Sequence, residues 1–114
     1  MSIPKKPAPS TSTRPGVLTR KVAISKGREV EHEKVTHSEL YAPVPGVSGI
    51  SGVQMGMTFP GPKNSFKSAR AEISVYLPHG PTIEDAREAI RQAKILVDEE
   101  LALAAKDLEP FLKE

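Results

Sequence analysis

Apolar and polar residues alternate most cleanly between Val53 and Leu77, and the period then lengthens. Val53, Met55, Met57 and Phe59 alternate with Gln54, Gly56 and Thr58, which is the pattern of a strand with one buried face. Pro60-Gly61-Pro62-Lys63-Asn64-Ser65 is dense in turn formers and predicts the hairpin connection. The return strand runs from Phe66 to Leu77, with Ala69, Ala71, Ile73, Val75 and Leu77 on one face. Phe66, Ser68, Arg70, Glu72, Ser74 and Tyr76 fall on the other. After Pro78-His79-Gly80-Pro81 the spacing becomes helical. Thr82 caps the helix, Glu84 and Asp85 suit its positive end, and the apolar stripe is Ile83, Ala86, Ile90, Ala93, Val97, Leu101, Ala104 and Leu108. Ala89, Leu96 and Leu103 broaden that stripe.

The pattern is weaker upstream. Leu18, Val22 and Ile24 share a face that Arg20 interrupts; Ser25-Lys26-Gly27 suits a turn, and Arg28–Val35 reads as a charged edge strand. Thr36-His37-Ser38-Glu39 has capping-box spacing, so one helical turn or a loop is expected before Pro43 and Pro45. Gly46, Gly49 and Gly52 recur every third residue, as in a flexible connector with positive-φ positions, or in a loop that approaches a phosphate or base. Residues 1–16 hold four prolines among Ser and Thr, which predicts a flexible basic arm. The expected architecture is α+β: a small antiparallel sheet of two hairpins packed on one long C-terminal amphipathic helix. A flexible arm, 1–16, precedes a single domain, 17–114.

Length adds a question of assembly. A helix from Thr82 to Leu108 is roughly 40 Å long, whereas the return strand covers roughly 35 Å. Overhanging Leu101, Leu103 and Leu108 would need cover from the Phe111-Leu112 tail or from a second subunit. A homo-oligomer is expected, a dimer foremost. Only 4% of residues are aromatic and Trp is absent, so the core must be aliphatic. With no Cys, neither disulfides nor thiolate metal sites can form. No apolar run approaches a membrane span and Met1–Ser10 lacks a secretory apolar region, so a cytoplasmic chain is expected.

Charge is unevenly spread. Residues 1–28 carry Lys5, Lys6, Arg14, Arg20, Lys21, Lys26 and Arg28 with no acid, giving +7. Residues 29–114 carry nine cations against fourteen acids, giving −5. Such an arm binds polyanions, serves solubility, or lies on its own acidic helix.

Catalytic signatures are absent: no nucleophile elbow, Walker A loop or Rossmann fingerprint occurs. His32, His37 and His79 lack the converging partners a metal needs, so no metal site, cofactor or enzymatic activity is expected. The polyanion expectation is more specific. The hairpin face away from the helix shows Phe66, Arg70 and Tyr76 with glycines between, and Lys63 and Lys67 stand at its end. Rings stack bases and cations follow phosphates when single strands are held on a sheet. The expected nucleic-acid-binding set is Lys5, Lys6, Arg14, Arg20, Lys21, Lys63, Phe66, Lys67, Arg70 and Tyr76. Two alternatives stand beside it: the same face buried in an oligomer, or a protein-interaction or small-ligand-sequestering module with Phe66, Arg70 and Tyr76 lining a pocket between subunits.

Asn64-Ser65-Phe66-Lys67-Ser68, the alternating strand Arg70–Leu77 ending at Pro78, and a helix containing Val97-Asp98-Glu99-Glu100-Leu101 carry a likeness. Over residues 61–103 the chain resembles small uncharacterised phage and prophage proteins with an Asn-aromatic strand followed by an acidic helix. The resemblance implies an accessory role in nucleic-acid metabolism or in countering host defence, and assigns no functional residue.

Overall fold

The structure, a computed structural model, describes residues 13–63 and 65–112. Strands β1 (Thr13–Lys26), β2 (Glu29–Pro45), β3 (Gly49–Pro60) and β4 (Lys67–His79) precede one helix, α1 (Ile83–Leu112). The four strands form one antiparallel sheet in the order β2-β1-β4-β3, so pairing of β1 with β4 joins two hairpins side by side. The helix lies over β4 and β3. This is the α+β architecture the hydrophobic pattern predicts.

The core follows from the two periods meeting. Ala69, Ala71, Ile73, Val75 and Leu77 all point from β4 into the layer between sheet and helix, joined by Leu18 and Ile24 of β1. Ala89, Ala93, Val97, Leu101, Ala104 and Leu108 face them from α1. Alanines oppose one another in both layers, which lets the helix sit close to the sheet. Ile73, Val75 and Val97 are the largest fully buried side chains, each contributing about 1.5–3 kcal/mol. At its start α1 is closed by a reciprocal cap: Asp85 N–H donates to Thr82 Oγ1 at 3.0 Å, and Thr82 N–H donates to Asp85 Oδ2 at 3.4 Å.

Several local expectations are corrected. Strand β1 begins at Thr13, inside the stretch expected to be a flexible arm; Pro15 is accommodated where the β1–β2 register shifts between Arg14 and Gly16. Thr36–Glu39 form neither a helical turn nor a loop. The long β1 supplies ladder partners as far as Thr13↔Pro45, which holds 36–39 extended, and Pro43 and Pro45 are tolerated because β2 is an edge strand. Gly49 and Gly52 lie within β3, and only Gly46 of that series has a positive φ. The strand after the β3–β4 turn begins at Lys67, leaving Phe66 in the turn. The helix continues through Pro110 to Leu112, so the tail does not fold back, and Leu101 and Leu108 are buried by the chain's own sheet. Met55 and Met57 share the helix-side face but stay exposed, because α1 does not reach fully over this edge. Among the described residues no helix is long and apolar enough to cross a membrane.

Candidate nucleic-acid interface

The register brings the two hairpin turns to one end of the sheet. Lys26 at the end of β1 pairs with Lys67 at the start of β4, so the β1–β2 turn and the β3–β4 turn lie next to each other. A hydrogen bond between them, Gly27 N–H to Phe66 O at 2.9 Å, locks the arrangement. The β3–β4 turn is itself pinned. Gly61 N–H donates to Lys67 O at 2.8 Å, Ser65 Oγ donates to Pro62 O at 2.6 Å, and Lys67 N–H reaches Ser65 Oγ at 3.2 Å.

Phe66 is the chain's one described non-glycine residue at positive φ, 58°. A bulky residue in the left-handed region is strained and persists only where its surroundings impose it. Here the conformation aims the carbonyl at Gly27 and leaves the ring in water, 79% exposed. The same two turns carry Lys26, Arg28, Lys63 and Lys67. Residues 25–29 and 60–68 together hold these four cations against one acid, Glu29. Among the described residues, none of the four forms an ion pair. An exposed ring on a tip that also carries unpaired cations can stack a planar group while the cations hold anionic groups nearby.

The other expected residues are placed differently. Arg20 points to the helix side, where its guanidinium lies 2.8 Å from Asp107 Oδ2 and 3.9 Å from Glu100 Oε2 of α1. The basic segment thus lies partly on the acidic helix. Lys21 and Arg70 do project from the opposite face, but each meets an acid there: Lys21 Nζ lies 3.3 Å from Glu33, and Arg70 Nε 2.9 Å from Glu72. Arg70 also donates to Thr58 Oγ1 at 3.0 Å. Tyr76 is on this face, 43% exposed, and Arg14 is exposed near the start of β1. Lys5 and Lys6 lie outside the described residues. Phe66 and Tyr76 are ten positions apart on an extended chain, about 33 Å, so Phe66, Arg70 and Tyr76 do not line one pocket within the chain.

The glycines of β3 are seats for their cross-strand neighbours. A Cβ at Gly52 would stand 2.1 Å from the Val75 carbonyl oxygen and 2.6 Å from Tyr76 Cδ1, and one at Gly56 would stand 2.6 Å from Arg70 Nη2. The space a ligand would need at the backbone is already filled by Tyr76 and Arg70. Near the far end of the sheet, Ser51 Oγ is bonded to His79 Nε2 at 2.8 Å, and His79 Nδ1 to Gly80 O at 2.7 Å, tying β3 to the exit of β4. Among the described residues no three His, Asp or Glu side chains converge on a metal position.

Lys26 and Arg28 belong to the tip, and sequence pattern alone did not single them out. Their signal is that both turns are basic; which turns become neighbours is decided only by the β1–β4 pairing. Comparison with known proteins returns no match, whether to family models, curated proteins or solved structures.

Proposed function

We propose that this protein binds single-stranded nucleic acid at the tip of its double hairpin, in a binding role without catalysis. The observation that carries this is the junction of the two turns, where Lys26, Arg28, Lys63 and Lys67 share one tip with the exposed ring of Phe66 and none of the four is in an ion pair among the described residues. Single strands fit better than duplex. The tip is four strands wide, about 14 Å at the spacing of neighbouring strands, broader than either B-form groove, about 12 Å for the major and about 6 Å for the minor. A splayed strand can lay one base on Phe66 while its phosphates reach the flanking cations. The open sheet face is a poorer candidate, because Lys21 and Arg70 are held by Glu33 and Glu72. A phage-derived accessory role in the cytoplasm accords with this and rests on the likeness of residues 61–103.

Fluorescence anisotropy with a labelled single-stranded oligonucleotide tests the proposal. The full chain binds at low salt. Replacing Lys26, Arg28, Lys63 and Lys67 together by alanine removes most of the affinity, and Phe66→Ala lowers it by roughly 5- to 100-fold, the loss of one stacked base. Replacing Lys21 and Arg70 by alanine leaves binding unchanged. Absence of binding by the unaltered chain at low salt overturns the proposal.

A further inference from the structure

The two edges of the sheet are built to opposite rules. Strand β2 carries Glu29, Glu31, Glu33, Lys34 and Glu39, ends on Pro43 and Pro45, and is interrupted by register shifts. Each of these features discourages pairing with another strand. Strand β3 has none of them until its last residue. Its twelve residues, Gly49–Pro60, include no charged side chain, and its register with β4 is unbroken. Among the described residues nothing pairs with its outer side. Beside this edge Met55 and Met57 are 38% and 47% exposed.

We propose that two copies of this chain pair along β3, antiparallel about a two-fold axis near Met55–Met57, into one continuous eight-stranded sheet with both helices on the same face. A two-fold contact must be complementary to itself. An uncharged strand satisfies that at every register. Ala102, Ala105 and Glu109 of α1 border Phe59–Pro62 of the hairpin, which identifies the flank on the β3 side. The helical repeat places Arg87, Arg91, Lys94 and Asp98 on that same flank. Arg91 and Lys94 already pair with Glu88 and Asp98 on the same helix, so much of the charge along this flank is neutralised before a second copy approaches. The small residues Ala102 and Ala105 line a groove of about 670 Å3 with Phe59 and Pro60, and the two-fold brings the opposing helix's first half, with its exposed Ile83 and Ile90, towards it. Of the residues expected to need a partner's cover, Leu101 and Leu108 are covered by the chain's own sheet and Leu103 is 51% exposed; the edge strand is the stronger reason for a dimer.

Sedimentation velocity on the full chain reads this without any nucleic acid. The unaltered protein sediments at twice the chain mass. Met55→Lys with Met57→Lys, which places four lysines at the seam of the dimer and only exposed side chains on the monomer, sediments at the single-chain mass with an unchanged circular dichroism spectrum. Val35→Lys on the opposite edge stays dimeric. Because the chain has no Cys, Met55→Cys with Met57→Cys provides a second measurement should the lysine variant not fold: a two-fold between these positions sets 55 of one copy opposite 57 of the other, so this variant forms a disulfide-linked dimer on mild oxidation and Val35→Cys does not. A monomeric unaltered protein, or a dimer that survives both lysines, overturns the proposal, as does crosslinking through position 35 but not through 55 and 57.

Discussion

Two glycines on the same strand face separate close packing from mere proximity. At Gly52 the obstacle to a side chain is the Val75 carbonyl, part of a paired backbone that cannot move without breaking the ladder; at Gly56 it is the end of the flexible Arg70 side chain. Gly52→Ala is therefore expected to destabilise by about 1–3 kcal/mol, and Gly56→Ala to stay within about 0.5 kcal/mol, measured by urea unfolding. Arg20 makes a parallel case on the other face. Its side chain is 22% exposed, on an otherwise apolar face, and its partner Asp107 is largely in water. Such a pair contributes about 0–1 kcal/mol, so Arg20→Met leaves the unfolding midpoint unchanged or raises it. Nucleic-acid affinity is unaffected by the same change, because the residue faces α1 and lies away from the tip.

At the scale of elements, the strongly periodic pieces could be read directly from sequence and the irregular ones could not. The β4 alternation and the α1 stripe appear where expected, because burial on one face leaves a direct trace in residue choice. The trace is imperfect even there: Ile83, Ile90 and Leu103 belong to the expected apolar stripe yet are exposed, at the helix end or on its flanks. The first half of β2 reads in sequence as the charged edge strand it is, but its second half is hidden, because an edge strand buries neither face and residues 36–45 carry turn and cap signals that long-range pairing with β1 overrides. The site was half legible. Lys63, Phe66 and Lys67 could be picked from a basic, aromatic turn, while Lys26 and Arg28 join them only through a pairing between distant residues. Arg20 and Lys21 look available in sequence because no local rule reveals an acid on another element, whereas the partner of Arg70, Glu72, lies two residues along the same strand face.

Across the whole molecule, charge is sorted by location more than by amount. The described acids sit on β2 and α1, with Glu72 on β4, and hold Arg20, Lys21 and Arg70, while four cations outside any ion pair among the described residues, Lys26, Arg28, Lys63 and Lys67, share the tip where β1 and β4 meet their turns. In the paired assembly the two tips would stand at opposite ends of the joined sheet, about 40 Å apart along β3, so a strand long enough to reach both would be held at two points and bind more tightly than two short strands. With up to four cations engaged at one tip, the logarithm of affinity for a short strand should fall against the logarithm of salt with a slope of about −3 or shallower. Where on the molecule the strand sits is the most direct question. Titrating the isotopically labelled chain with a short single-stranded oligonucleotide, and following backbone amide shifts by NMR, answers it. Shifts concentrated in residues 25–29 and 61–67 are the predicted result. Shifts concentrated on Thr19–Ala23, Gly52–Thr58 and Arg70–Tyr76, or none at saturating oligonucleotide, would contradict the account.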